Sequence, residues 1–198
     1  MTKKLNDVLH DKTAKFVLAT LAGLAITMAI GLTVIESPKV INVRFDQEYT
    51  IESVRKLTDL LTVAPAEDEV VISLTSPGGM VIAMEELTFA MDHSAATVTV
   101  VVPSMAASAA ATTLCHADKI FLAKNAVIFF HPMQTEDGPL TYASVQNYMD
   151  KLFMDKSAEH MNVCVAKGIL TQSEANSILY DGKEVILTGG EVMNRVSK

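Results

Sequence analysis

Three short stretches of this sequence carry residue types suited to acyl transfer: Ser76-Pro77-Gly78-Gly79, Ser108 among alanines, and His131 ahead of Pro132. Two adjacent glycines at the end of an apolar run let backbone N–H groups point into a cleft with no side chain in the way. Such donors suit an oxyanion hole, which meets the charge that develops when a carbonyl is attacked. Ser108 is flanked by Ala106, Ala107, Ala109, Ala110 and Ala111, small neighbours that leave room beside a hydroxyl. The N–H of Ala109, at the start of a helix, is a second donor to the same oxyanion. His131 follows the apolar run 126–130, so a strand end delivers an imidazole able to take a serine proton and return it to a leaving amine. Each stretch alone also has a plain structural explanation: a strand-to-helix turn, a packing helix that tolerates one serine, a histidine satisfied at a strand end. The other histidines, His10, His93, His116 and His160, stand in tail, helix or loop contexts without that placement.

The elements that must position these residues can be read from periodicity. Residues 40–45 (VINVRF), 70–74 (VVISL) and 97–102 (TVTVVV) are short strands, and 119–122 and 126–130 are two further strand-like pieces. Helical spacing of Ile51, Val54, Leu57, Leu60 and Leu61 predicts a helix over 50–63 with Thr50 as its N-cap. Further helices are predicted over 81–92, over the small-residue run 105–115, and over a long stretch from about 141 to 166. Residues 167–198 read as a short helix, a turn at Asp181-Gly182 and a C-terminal helix. Near-continuous apolar strands alternating with helices predict an α/β fold with a parallel sheet covered on both faces.

Taken in order, Ser76-Pro77-Gly78-Gly79, Ser104-Met105-Ala106-Ala107-Ser108 and Phe129-Phe130-His131-Pro132 resemble the proteolytic subunit of the Clp protease, and more broadly the ClpP/crotonase fold. The resemblance covers roughly residues 40–192. It implies repeated β-β-α/β-α units with a long handle helix at about 141–166, through which such subunits assemble into homo-oligomers. It also implies a serine endopeptidase with Ser108 as nucleophile, His131 as general base, and an oxyanion hole built from the N–H groups of Gly79 and Ala109. Three departures stand out. Ser104 replaces a glycine of the family pattern, Pro132 follows His131 with no intervening residue, and the stretch that carries the third triad acid reads Glu184-Val185-Ile186-Leu187-Thr188. Glu184 then occupies the aspartate position, with Asp181 a nearby substitute, and a solvated loop acid remains the alternative for both.

Other readings stay open. Peptidases of the signal-peptide-peptidase-A and NfeD type share the fold but use a Ser/Lys dyad, for which Lys151 is the alternative base, with Lys156 behind it. A ClpP-like scaffold without turnover is a second alternative. A crotonase acting on acyl-CoA needs neither a serine nor a histidine at these positions. The peptidase reading calls for no cofactor and no metal, and its substrate is a peptide or an unfolded chain.

Before the folded region, residues 16–35 form an uncharged run of 20, long enough as a helix to cross the roughly 30 Å core of a bilayer. The expectation is a cytoplasmic tail over 1–15, a transmembrane anchor (or a signal sequence) over 16–35, and a peptidase domain over 36–198. Lys3, Lys4, Lys12 and Lys15 precede the span, which places the N-terminus in the cytoplasm and the domain on the far, periplasmic or extracellular, side. Ala19, Gly23, Thr27 and Gly31 form a small-residue stripe suited to helix packing in an oligomer. A domain beyond the membrane has no ATP, so dependence on a cytoplasmic ATPase partner is left open. A net charge of −7 with no basic cluster argues against nucleic-acid binding. Cys115 and Cys164 lack any metal-ligand spacing and are expected as two buried thiols in preference to a disulfide.

Overall fold

The computed structural model describes residues 37–133 and 143–197, with the side chains of 143–150 excepted. The expected span at 16–35 lies outside the described residues; among those described, no helix is long and apolar enough to cross a membrane.

Strands β1 (Val40–Phe45), β2 (Glu69–Leu74), β3 (Thr97–Val102) and β5 (Lys119–Leu122) form a parallel sheet in the order β1-β2-β3-β5. Val70, Ile72 and Leu74 alternate into the core, and Val98, Val100 and Val102 continue the same layer on β3. β-branched residues suit that packed face, but the opposite faces of β2 and β3 are only partly buried apart from Thr99, and β1 and β5 are largely exposed, so the sheet is not covered on both faces as expected. Helix α1 (Ile51–Val63) begins with a capping box in which Thr50 accepts from the N–H of Ser53 and Ser53 from the N–H of Thr50. It packs against α2 (Val81–His93), whose buried Met84, Leu87 and Met91 face the core.

A second, smaller sheet carries the residues of interest. Strand β4 (Met105–Ala107) runs parallel to β6 (Val127–Phe130), and β6 pairs antiparallel with β7 (Val185–Thr188). Ser76 joins the two sheets: its N–H donates to Met105 O at 3.1 Å and its carbonyl accepts from the N–H of Ala107 at 3.0 Å. The glycine turn after β2 is therefore fixed beside the end of β4.

Two elements differ from the sequence expectation. The run 105–115 is not one helix, since Met105–Ala107 is strand and only α3 (Ala109–Leu114) is helical. Alanine has high helix propensity, but pairing with β6 satisfies the backbone of three residues and outweighs it. Strand β7, unforeseen within 167–198, is four residues long, and its exposed Ile186 is as apolar as its buried Leu187, so the sequence shows no alternation. The rest of that region is α5 (Gln172–Asp181), ended by Gly182 in the left-handed conformation, and α6 (Gly189–Val196).

Helix α4 (Ala143–Ala166) is the long helix expected near 141–166. Its C-terminal half is tied to the core by a disulfide between Cys115 and Cys164, which corrects the expectation of two thiols. Sequence spacing gave no sign of it because the cysteines are 49 residues apart; the fold brings their α-carbons to 4.8 Å. Closing a loop of 49 residues removes denatured-state entropy worth about 4 kcal/mol. Reduction with the fold otherwise unchanged is expected to lower the urea midpoint by that equivalent. A reduced protein with an unshifted midpoint would deny the bond its stabilising part.

Candidate active site

Ser108 stands at the junction of β4 and α3 with φ 56° and ψ −124°, and it is the one non-glycine residue at positive φ among those described. A side chain in that region costs about 1–3 kcal/mol and persists only where its surroundings over-determine it. Those surroundings are main-chain groups. The N–H of Ser108 donates to Phe129 O on β6 at 2.7 Å, and its carbonyl accepts from Thr112 N in the first turn of α3. The sharp reversal turns the serine out of the strand line and leaves it half-buried.

The glycine turn lies directly against it. Gly78 has φ 96°, and a β-carbon there would fall 2.6 Å from Ala107 O, 2.7 Å from Ser108 Cβ and 2.9 Å from Ala109 N. The space beside Ser108 and the Ala109 N–H exists because residue 78 has no side chain. Gly79, at φ 141°, is pinned by a bridge to Tyr49: Tyr49 N donates to Gly78 O and Met80 N to Tyr49 O, both at 2.8 Å. Tyr49 is wholly buried; its hydroxyl donates to Thr113 Oγ1 at 3.1 Å, and burial pushes its pKa well above the usual tyrosine range. The N–H of Gly78 donates to Ser76 Oγ. The N–H groups of Gly79 and Ala109, by contrast, have no acceptor among the described residues. Two free donors next to a strained serine are what an oxyanion requires.

His131 follows β6 by one residue, so the strand whose Phe129 carbonyl holds the Ser108 N–H also presents the imidazole. Ser108, Ala109, Gly79 and His131 line one cleft of about 500 Å³. Its apolar walls come from Met80, Met84, Met133 and Phe153, the last on α4. The Nδ1 of His131 lies 2.7 Å from the carbonyl of Pro132. A carbonyl only accepts, so Nδ1 carries a proton, and in the neutral ring the lone pair is then on Nε2.

The chain can now be placed among known proteins. A family model for ClpP-like SDH-type serine proteinases matches residues 23–176, more than half of the 198 residues. The chain belongs to this family. No curated protein matches it.

For a ClpP-like SDH-type serine proteinase, the remaining sequence expectations sort by position. Glu184 immediately precedes β7 and is exposed; the β6–β7 ladder ends with Phe130 opposite Val185, leaving Glu184 and His131 just beyond it. Asp181 ends α5 and pairs with Lys183 at 3.3 Å. Neither carboxylate is bonded to His131, whose Nδ1 is held by Pro132 O. Lys151 is exposed on α4, paired with Asp155 one turn on, and is not part of the cleft wall. Lys156 bonds Glu159 at 2.8 Å and lies 3.8 Å from Glu85; these acids raise its pKa, the opposite of what a neutral base needs.

Sequence reasoning missed the cleft walls, Met80, Met84, Met133 and Phe153, which come from α2 and its N-cap, the segment after β6, and α4, and share no spacing rule. Of the glycine pair it named only Gly79 as a site residue, whereas the missing side chain of Gly78 is what leaves the space beside Ser108. The adjacent glycines were the available signal.

Proposed function

We propose that this chain is a serine endopeptidase. Ser108 Oγ attacks the scissile carbonyl, and Nε2 of His131 takes the hydroxyl proton. The oxyanion of the tetrahedral intermediate accepts from the N–H groups of Gly79 and Ala109. Collapse of that intermediate breaks the C–N bond as His131 protonates the leaving amine. Water, activated by the same imidazole, then releases the acyl group from Ser108. The observation that carries this reading is the positive φ of Ser108 beside two unbonded N–H groups, in a cleft that also holds His131.

Pro132 O takes over one duty of the third acid, fixing the His131 tautomer, but brings no negative charge to stabilise the imidazolium. Glu184 is the carboxylate proposed to approach the ring when substrate is bound. The apolar walls fit a large apolar side chain beside the cleaved bond.

The disulfide supports placing the domain in an oxidising compartment on the far side of a membrane, with the uncharged run 16–35 as its anchor. Cleavage there proceeds without an ATPase. Exposed Leu152 and Met154 on α4 are in keeping with assembly of a homo-oligomer through that helix.

Labelling with a fluorophosphonate, which reacts with activated serines, tests the chemistry. The wild-type protein is expected to label at Ser108. His131→Ala slows labelling by at least about a thousandfold, whereas Lys151→Ala changes it by less than about twofold. Loss of labelling in Lys151→Ala, with His131 dispensable, would replace the triad-type scheme by the Ser/Lys dyad. A folded wild type that does not label at all favours the scaffold without turnover, for which the missing carboxylate on His131 is the supporting observation.

A further inference from the structure

Away from the cleft, four titratable side chains form an unbroken chain linking α2, the turn after α3, and α4. Asp92 on α2 holds Nδ1 of His116, with both carboxylate oxygens at 2.9 Å. Nε2 of His116 lies 2.9 Å from Nδ1 of His160 on α4, and Nε2 of His160 lies 2.8 Å from Glu85, again on α2. The two imidazoles are buried, with side chains 5% and 4% exposed. The other charged groups facing this chain are Lys156 and Glu159 of α4; α3 carries none.

Counting protons decides what this arrangement is. Each ring must give an N–H to its carboxylate, which uses one proton on each. The nitrogens left over then face each other at hydrogen-bond distance, and that contact needs one more proton. Two neutral rings would oppose two lone pairs, and two imidazolium rings would oppose two N–H groups. We propose that His116 and His160 share a single extra proton between Asp92 and Glu85, and that this clasp seats α4 so that Phe153 keeps its place in the cleft wall. Both histidines are positioning residues for the reaction; this last link rests on the peptidase reading, whereas the shared proton does not.

Position along the helices supports the coupling. Phe153 and His160 are seven residues apart on α4, two turns along one face, and Ser157, Met161 and Cys164 on that side are buried. His116 is next to Cys115, and His160 is one turn before Cys164, so the clasp and the disulfide are neighbouring links between the same two segments. The disulfide fixes one end permanently; the histidine pair holds the stretch nearer the cleft only while its proton count is right. Burial lowers the pKa of His116 against the opposing pull of Asp92 and Glu85, so any proton beyond the one that the 2.9 Å contact between the rings requires is costly. The seat is therefore firm in an intermediate pH window. It loosens below that window, as the second proton enters, and above it, as the shared proton leaves.

The test uses the full chain in detergent, with ¹⁵N-labelled histidine, followed from about pH 4 to about pH 9. The rings of His116 and His160 are expected to titrate together and to hold one proton in common across the window. Amide protection over residues 151–166, the observed exchange rate relative to the intrinsic rate at each pH, should be greatest in that window and lower by about tenfold or more on either side, the effect of losing one charge-assisted hydrogen bond. His116→Gln and His160→Gln should abolish that pH dependence. Glu85→Gln, which keeps an acceptor and removes a charge, should move the upper limb to lower pH, and it preserves the test if the histidine variants do not fold. Independent titration of the two rings, or exchange with an unchanged pH profile in Glu85→Gln, overturns the clasp. The rate of fluorophosphonate labelling should follow the same two limbs. If Ser108 never labels, the peptidase reading falls, while ring titration and amide exchange still decide the clasp.

Discussion

Ser108→Ala is expected to abolish peptide hydrolysis, with a loss of roughly four to six orders of magnitude in kcat, and to remove fluorophosphonate labelling completely. Stability should move very differently. At φ 56° alanine is as strained as serine, so Ser108→Ala should unfold within about 0.5 kcal/mol of the wild type. Ser108→Gly, equally inactive, should be more stable by about 1 kcal/mol, or about 2–4 °C in Tm, because glycine adopts this conformation without the steric cost. Calorimetry on the two variants beside a turnover assay separates the outcomes. A serine that merely packs would show little change in activity. An unstrained serine would make the glycine variant less stable than the alanine one.

The second large effect is expected at Gly78→Ala, where two penalties act together. The new methyl would overlap Ala107 O, Ser108 Cβ and Ala109 N, all closer than 3 Å, and φ 96° is itself unfavourable for any residue with a β-carbon. Relief requires the turn to move away from α3, at a cost of about 3 kcal/mol. The same methyl fills the space where the oxyanion would meet the Ala109 N–H. Labelling of the folded fraction should fall by about a hundredfold to a thousandfold. Gly182→Ala is the matched control: its φ is 66°, with nothing within 4 Å of the added carbon. It should cost about 1 kcal/mol and leave labelling unchanged. If Gly78→Ala labels at the wild-type rate once folded, the oxyanion lies elsewhere.

Much of the parallel sheet could be read from the chain because β2 and β3 are short apolar runs rich in β-branched residues. The same holds for α1, whose Thr50 cap is a local hydrogen bond between residues three apart. What depended on distant partners could not be read. Alanine-rich residues 105–107 resemble a helix until β6 is placed alongside, and the reversal at Ser108 then follows from ladder pairing that no local pattern encodes. Cys115 and Cys164 meet only after α4 is laid on α3. The motif order brought Ser108, Gly79, Ala109 and His131 forward together, and the fold lines one cleft with them. The acid partner of His131 was the ambiguous part of the sequence because Glu184 and Asp181 both sit at an exposed edge. The structure adds the reason that the ring is nonetheless oriented: the residue after it supplies a carbonyl.

One consequence follows from the way Ser108 is held. Its place is set by its own N–H on Phe129 O, by its carbonyl on Thr112 N, and by an absent side chain at Gly78; none of these involves the hydroxyl. The backbone is thus a socket that does not depend on the hydroxyl. A lineage carrying this fold can exchange the reactive atom, or discard it and keep only the binding cleft, without having to refold around the change. Divergence of chemistry on this scaffold is limited by what fits between two glycines and a histidine, and hardly at all by folding.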